Sequence, residues 1–273
     1  MIKRYNLTRQ DLKTVKDPAQ WKPFIRKFEI DKIFDGLHKD YFDRALELGC
    51  GSGEHSEYLA FYCKKLIAIE YNKDRLTSAG NDKTTFMVAD AQDLSQFHDN
   101  EMDLIFSSNL IEHLSKVDRC LSECRRVVKQ QGLIIHTVPN RTWKFFHLLL
   151  YYPFGVKVMF WRFVSPKKAQ GLSEFIDTKV KLDSSLRSLD YSLKKVLWPK
   201  THGISKSHFT EFRNWAEKQW IEIFKRNSLD VVNIIRLPFY FGWGYNFRFI
   251  LNLGNNLGLS SSTAFVLKKI PVQ

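Results

Sequence analysis

Three glycines and two carboxylates stand at spacings that suit a ligand site. Gly49, Gly51 and Gly53 alternate directly after an apolar run, and Glu70 and Asp90 each end a later apolar run. Glycine has no Cβ, so it suits a backbone that turns sharply or comes within contact distance of a ligand. Acids at the ends of strands can accept hydrogen bonds from ribose hydroxyls. The pattern predicts a site for a nucleoside-containing cofactor.

The residues around the glycines predict the elements that position this site. Residues 43–48 predict a short strand, the glycines a turn, and residues 54–59 the start of a helix. This order is the first half of a nucleotide-binding βαβ unit, in which the helix N-terminus favours an anionic ligand group. Residues 65–70 and 85–91 predict two further strands, each closed by an acid. The two acids should therefore lie at the edge of the sheet where the glycine turn lies.

The glycine spacing narrows the choice of cofactor. It is Gly-x-Gly-x-Gly, one residue tighter than in dinucleotide-binding dehydrogenases, and Glu47 stands two residues before Gly49. In these motifs the chain resembles the class I S-adenosylmethionine-dependent methyltransferases, particularly the broad group that includes the ubiquinone-biosynthesis O-methyltransferases. The resemblance is close over residues 40–140 and looser over residues 205–273. It implies an α/β fold with a doubly wound, seven-stranded, mostly parallel sheet in a single domain, residues 1–273.

The resemblance also implies which residues hold the methionine portion of S-adenosylmethionine. Gly49, Gly51 and Gly53 would let the backbone approach it, with Glu47 near its amino group. The backbone carbonyl of Asn109 would meet the same amino group. These roles follow from the positions that match the family's motifs.

The adenosine portion is assigned in the same way. The resemblance implies that Glu70 accepts hydrogen bonds from both ribose hydroxyls and that Tyr71 lies against the adenine. Asp90 would accept from the adenine amino group, and the N–H of Ala91 would meet a ring nitrogen. Taken singly, Glu70 and Asp90 could be solvated acids at strand ends, but their joint spacing with the glycines favours the cofactor roles.

Methyl transfer mainly requires that the methyl donor and the acceptor are placed in line in a site without water. A general base is also needed if the acceptor is a hydroxyl. His113, just after the predicted fourth strand (101–109), is the first candidate base. His202, where an inserted segment rejoins the core, is the second. A structural or surface histidine is the alternative for each. No cluster of His or Cys has metal-ligand spacing, so we predict no metal.

The remaining core elements follow from periodicity. Apolar residues recur at helical spacing from 117 to 128, and Gly132 is expected to stop that helix. Residues 132–138, 229–237 and 263–270 predict the fifth, sixth and seventh strands, the last implied by the resemblance to be antiparallel and in a hairpin with the sixth. Residues 207–227 return to helical spacing. Residues 1–40 predict a polar, basic N-terminal lead with a helix over 21–37.

Two segments are longer than the connections that a minimal fold of this kind needs. Residues 141–204 carry twelve Lys and Arg against four Asp and Glu, or +8 of the chain's net +13. Their aromatic and apolar run, 143–164, is interrupted by Pro153, Gly155, Lys157 and Arg162, so it does not predict a membrane span. We expect a helical cap over the active site. Contact with an anionic membrane surface is an open alternative, and a nucleic-acid partner is the least favoured.

The second long segment, residues 238–247, follows the sixth strand as the cap follows the fifth. Ligands of open α/β sheets bind beyond the carboxyl ends of the parallel strands, so both segments should line the acceptor pocket. We therefore predict a methyltransferase acting on a small, lipophilic or lipid-linked acceptor. A nicotinamide-dependent oxidoreductase, disfavoured by the glycine spacing, is one alternative. A non-catalytic protein of this fold that binds membrane or nucleic acid is the other.

The expected compartment rests on the cysteines and on the start of the chain. The four cysteines show no Cys-x-x-Cys spacing, and residues 1–6 lack the apolar core of a signal peptide. These features predict free thiols in a cytoplasmic protein, with peripheral membrane contact as an additional expectation.

Overall fold

The computed structural model describes residues 1–77, 79–149, 207–241 and 247–270, together with residues 151, 164 and 201. These residues build one eight-stranded sheet. In chain order its strands are β1 (Ile2–Arg4), β2 (Phe42–Leu48), β3 (Cys63–Glu70), β4 (Thr84–Val88), β5 (Met102–Ser108), β6 (Val128–Pro139), β7 (Leu229–Arg236) and β8 (Ser262–Lys269).

The order of strands across the sheet is β1-β7-β8-β6-β5-β2-β3-β4. Strand β8 is antiparallel to both of its neighbours, and the other described pairs are parallel. From β2 the chain first adds β3 and β4 on one side, then crosses to add β5 and β6 on the other. The order therefore reverses between β2 and β5, and ligands of doubly wound folds bind at such a reversal.

This arrangement confirms the predicted doubly wound, mostly parallel fold and the antiparallel hairpin of the last two strands. The predicted count of seven strands was wrong, because residues 2–4 form an eighth. Ile2 pairs with Ile234 and Arg4 with Arg236 at the edge of the sheet. A strand of three exposed residues carries no alternating pattern, so the sequence alone did not reveal it.

Helices flank the sheet and begin with recognisable caps. Thr8 and Asp11 form a capping box at the first helix, and the Ser207 hydroxyl accepts a hydrogen bond from the Thr210 N–H at the sixth. The helices are α1 (Arg9–Thr14), α2 (Trp21–Ile33), α3 (Ser56–Leu59), α4 (Val117–Val127), α5 (residues 141–149), α6 (His208–Asn214), α7 (Glu217–Arg226) and α8 (Arg248–Asn256).

Gly132 does not stop a helix as the sequence predicted. Helix α4 ends at Val127, β6 begins at once, and Gly132 lies inside that strand. The pairing of β5 with β6 shifts register between Met102 and Leu104. A Cβ on Gly132 would lie 3.0 Å from the Asp103 carbonyl oxygen. The glycine therefore permits close backbone approach beside this irregularity.

Buried side chains form three clusters. Leu46 and Leu48 of β2 belong to the cluster beneath α4 and α7, whereas Ala45 belongs to the one beneath α2 and α3. This alternation shows that both faces of the sheet are covered. A third cluster joins α1, α2 and α8 to residues 239–241. The four cysteines are buried free thiols.

Only part of the predicted cap falls within the described residues. Its first nine residues form α5, while most of residues 150–204, including His202, lie outside them. The same is true of residues 242–246 in the second long segment. Among the helices that the structure describes, none is long and apolar enough to cross a membrane.

Candidate cofactor site

The glycine turn after β2 uses backbone conformations that only glycine adopts readily. Gly49, Gly51 and Gly53 have φ angles of 67°, 57° and 84°. A Cβ on Gly49 would also lie 2.7 Å from a methyl carbon of Leu110. The Cys50 N–H donates to the carbonyl oxygen of Ile69 in β3 at 3.0 Å. The turn is therefore fixed against the neighbouring strand.

Glu70, at the end of β3, closes this turn. Its carboxylate accepts hydrogen bonds from the N–H of Gly51 and the N–H of Asn72, both at 3.0 Å. The side chain is buried, so it is not the solvated strand-end acid that was the alternative. Each carboxylate oxygen has lone pairs beyond those used here. The acid is thus oriented by the backbone and can still accept from a ligand.

A cavity of about 310 Å³ begins at the glycine turn and passes Glu70 and Asp90. Its volume lies within the usual range for small-molecule sites. The Asp90 carboxylate accepts from the N–H of Gln92 at 2.9 Å, which fixes its position in the wall. Six residues predicted to act in the site line this cavity, namely Gly49, Glu70, Tyr71, Asp90, Ala91 and His113.

The other predicted cofactor residues, Glu47, Gly51, Gly53 and Asn109, do not line this cavity. Gly51 reaches it through its bond to Glu70, and Gly53 completes the turn by donating to the Cys50 carbonyl oxygen at 2.9 Å. Asn109, with a φ of 50°, donates its N–H to the Thr137 carbonyl oxygen at 2.9 Å.

Glu47 lies beneath the turn. Its carboxylate accepts a hydrogen bond from the Ser56 hydroxyl, and its side chain is almost wholly buried. Burial raises the pKa of Glu47 to about 7, because a low-dielectric environment disfavours the charged form. The carboxyl group is therefore poised to ionise near neutral pH.

His113 lies in the cavity wall, in the short turn after β5. Its Nε2 atom is 3.7 Å from a carboxylate oxygen of Glu112. Burial, and then the charge of Arg75, lower the pKa of His113 below its usual value. The imidazole is accordingly neutral at pH 7 and able to accept a proton. His202, the second candidate base, lies outside the described residues.

Comparisons with known proteins agree with this geometry. Residues 46–136, from β2 to β6, match the family model described as a methyltransferase domain. Over 98 residues the chain is 30% identical to a protein of Mycobacterium tuberculosis named probable S-adenosylmethionine-dependent methyltransferase Rv3030. Over the matched residues the chain is therefore similar to S-adenosylmethionine-dependent methyltransferases. This confirms the predicted cofactor, and the nicotinamide-dependent alternative is not favoured.

Two more methyltransferases define the extent of the similarity. The ubiquinone biosynthesis O-methyltransferase of Pelagibacter ubique is 25% identical over 187 residues, which are 62% of this chain and 74% of that protein. The match to the mycobacterial protein spans only 35% of each chain. A structure of the complex between the Haloferax volcanii Trm112 methyltransferase activator and a methyltransferase aligns with a TM-score of 0.55. That alignment covers 98% of this chain and 100% of the other at 12% identity, so it shows the fold alone.

Sequence reasoning missed two charged residues beside the cavity. Arg75 lies over the glycine turn, with Nη1 3.9 Å from a carboxylate oxygen of Glu70. Glu112 is buried, and burial raises the pKa of its carboxyl group to about 8. Glu112 directly precedes His113 in the sequence, but nothing in that spacing distinguishes a buried acid from a solvated one.

A buried polar network at the same edge of the sheet was also missed. Glu29 of α2 accepts hydrogen bonds from Arg26 at 2.8 Å and from the Tyr240 hydroxyl at 2.5 Å. His55, next to the glycine turn, lies 3.4 Å from the same carboxylate. Although burial opposes ionisation, Arg26 and His55 hold the pKa of Glu29 down to about 2. The network joins α2, the start of α3 and the segment after β7.

A buried ion pair connects α5, at the start of the inserted segment, to α6, which follows the segment. Lys144 of α5 pairs with Glu211 of α6, and both side chains are essentially inaccessible. The Lys144 ammonium also lies 5.8 Å from the centre of the Trp215 ring. Arg141 reinforces the contact by donating to the carbonyl oxygen of Phe212 at 2.5 Å. The start of the inserted segment is therefore anchored to the helix that follows the segment in the chain.

Proposed function

We propose that the protein transfers a methyl group from S-adenosylmethionine to a small, lipophilic or lipid-linked acceptor. One observation carries this proposal, the single cavity that is lined by Gly49 of the glycine turn together with Glu70, Asp90 and His113. When bound, the cofactor supplies a methyl group that is already activated for transfer. The protein must then bind the cofactor and the acceptor, orient them towards each other and exclude water.

The residues of the cavity fit the cofactor in order along its wall. The glycine turn offers a close backbone surface for the methionine portion, next to the buried carboxyl of Glu47. Glu70, fixed by two backbone N–H groups, has lone pairs left for ribose hydroxyls. Tyr71, Asp90 and Ala91 stand further along, where the adenine would lie. The chain thus provides one polar partner for each part of the cofactor.

His113 is the residue that we propose as the general base. It lies in the wall of the same cavity, and its lowered pKa leaves it neutral at physiological pH. A neutral imidazole can take the proton of a hydroxyl acceptor as the methyl group is transferred. His202 remains the second candidate by its place in the sequence.

Two observations support the proposed chemical nature of the acceptor. Aromatic residues follow β6 and β7 in the sequence, and the carboxyl ends of these strands lie at the edge of the sheet where acceptors bind in such folds. The similar protein of Pelagibacter ubique is named for ubiquinone biosynthesis. Both favour a lipophilic acceptor with a hydroxyl group. The cations of residues 141–204 would favour an acceptor that also carries negative charge.

Glu70→Ala tests the cofactor site. The variant loses two charge-assisted hydrogen bonds to the ribose, each worth roughly 1.5–3 kcal/mol. We expect calorimetry to show S-adenosylmethionine binding about 10²–10⁴-fold weaker, because every 1.4 kcal/mol is about tenfold in affinity. Asp74→Ala is the matched control, since it removes an exposed acid four residues away. Unchanged affinity in a folded Glu70→Ala protein would remove Glu70 from the site.

Two further measurements separate the proposal from its alternatives. Titration with NADH should give no binding, and saturable NADH binding at the same cavity would favour the oxidoreductase. Turnover with hydroxylated aromatic lipids distinguishes an enzyme from a non-catalytic protein of this fold. Cofactor binding without any methyl transfer over a broad panel of such acceptors would favour the latter.

A further inference from the structure

Helix α8 exposes apolar side chains on the face where a helix of a globular protein normally carries polar ones. Phe249 and Leu253 of α8 and Leu257, the residue directly after the helix, are 79%, 48% and 67% exposed. Their i, i+4, i+8 spacing places them in one stripe, about 12 Å long at 1.5 Å per residue. The opposite face buries Leu251, Gly254 and Asn255. The helix is therefore apolar on both faces, which is typical of an interaction site.

The orientation of α8 is fixed by its inner face, so the stripe cannot simply turn inward. The Asn255 side chain accepts from the N–H of Leu7 at 2.9 Å and donates to the carbonyl oxygen of Phe239 at 2.8 Å. A Cβ on Gly254 would lie 2.2 Å from the Phe239 ring, so the helix packs there at closest approach. These contacts hold the stripe outward.

The surface beside the stripe is positively charged. Helix α1 packs against α8, and Arg248 donates to the carbonyl oxygen of Leu12 at 2.9 Å. Residues 1–16 contain five Lys and Arg but one acid, Asp11, which caps α1. Residues 247–270 contain no acid. The exposed cations near the stripe include Arg4, which lies over Gly258, and Arg9 and Lys13 of α1.

We propose that this face, formed by Phe249, Leu253 and Leu257 with Arg4, Arg9 and Lys13, docks on an anionic lipid bilayer. A helix that exposes a stripe of apolar residues flanked by cations suits the boundary between the headgroups and the acyl chains of a bilayer. Three side chains in a narrow stripe offer much less than the roughly 800 Å² per partner of a stable protein interface. The charge favours an anionic surface over a neutral one.

This surface is separate from residues 141–204, to which the sequence assigned lipid contact. Helix α8 follows the carboxyl end of β7 and precedes β8, so it stands at the edge of the sheet where the cofactor cavity opens. Docking there would bring that edge towards the membrane. The docking itself does not depend on the proposed methyl transfer, since it rests on α1 and α8 alone.

Sedimentation with vesicles tests the apolar stripe. The full chain should bind phosphatidylcholine vesicles that contain phosphatidylglycerol and bind pure phosphatidylcholine vesicles much more weakly. Phe249→Ser with Leu257→Ser should weaken binding about tenfold or more, because buried apolar area at the interface is lost. The control pair, Tyr41→Ser with Phe61→Ser, removes side chains that are 49% and 51% exposed at the opposite edge of the sheet. It should bind as the wild type does.

The cations are tested independently. Arg9→Gln with Lys13→Gln should lower affinity for anionic vesicles several-fold and reduce the salt dependence of binding. Lys218→Gln with Lys225→Gln makes the same change of charge on the exposed face of α7 and should have a smaller effect.

Three results would overturn the proposal. Wild-type vesicle binding by the stripe and cation variants would show that lipid docks elsewhere. A marked loss of thermal stability in the stripe variant alone would show that another part of the chain covers the stripe. A dimer that the stripe variant converts to monomer, without vesicle binding by either, would make a second copy of the chain the occupant.

Discussion

The buried carboxyl of Glu47 should make the stability of the cofactor-free protein depend on pH. Its pKa is raised from 4.5 to about 7 by burial beneath the glycine turn. The fold therefore keeps the group protonated over a range in which the unfolded chain releases the proton. Between pH 4.5 and 7 the unfolded state is progressively favoured, and above pH 7 the destabilisation is complete.

The size of the effect follows from the shift. One pKa unit corresponds to about 1.36 kcal/mol, so this shift amounts to about 3 kcal/mol of unfolding free energy. Because the side chain is almost wholly buried, solvent screening reduces this figure little. Glu47→Gln removes the titration while keeping a similar volume and an acceptor for the Ser56 hydroxyl. The variant should gain stability over the wild type as pH rises, by about 3 kcal/mol between pH 4.5 and pH 8.

Urea unfolding of both proteins at several values between pH 4.5 and pH 8 measures this difference. Glu57→Gln is the matched control, because Glu57 is an exposed acid on α3 close to Ser56 in the chain. A difference between Glu47→Gln and wild type that stays constant across this range would refute the reasoning. It would mean that the Glu47 carboxyl is either ionised in the fold or reached by water.

The remaining predictions concern catalysis and the glycine turn. His113→Ala should lower turnover about 10²–10⁴-fold with cofactor affinity little changed. Arg75→Gln should raise the pKa of His113 and move the acid limb of the kcat/KM profile to higher pH, and an unmoved limb would exclude His113 as the base. Gly49→Ala should destabilise the fold by more than Gly36→Ala, because both have positive φ but only Gly49 faces Leu110. Equal unfolding free energies for the two would contradict this, since no described atom lies within 4 Å of a Cβ at Gly36.

The sequence predicted those parts of the site whose positions are determined by neighbouring segments of the chain. The glycine turn and the acids after β3 and β4 lie within one βαβ-type unit, so their spacing along the chain fixes their position in space. The strand pairing then brings the turn to Glu70 and places Asp90 in the same cavity. The protonation state of Glu47 could not be predicted, because it depends on depth beneath the turn rather than on spacing.

Elements formed by distant partners escaped prediction for a related reason. Strand β1 exists because residues 2–4 pair with residues 234–236, which the sequence of neither segment indicates. The predicted helix over 21–37 ends at Ile33, and Gly36 turns the chain with a φ of 85°. The bulge at Gly132 likewise depends on the facing strand. For β1 and for Gly132 the partner strand, not the local pattern, selects the structure.

The N-terminal forty residues also make contacts with distant parts of the chain. The sequence predicted a lead of polar and helical residues before the core. The structure instead pairs β1 with β7, packs α1 against α8, and buries Glu29 of α2 between Arg26 and Tyr240. His55 also contacts Glu29, so the same helix touches the start of α3 beside the glycine turn. Since Tyr240 follows β7 and His55 follows the turn, α2 joins the two sides of the carboxyl edge. The geometry of the cofactor site therefore depends on residues that precede its first motif.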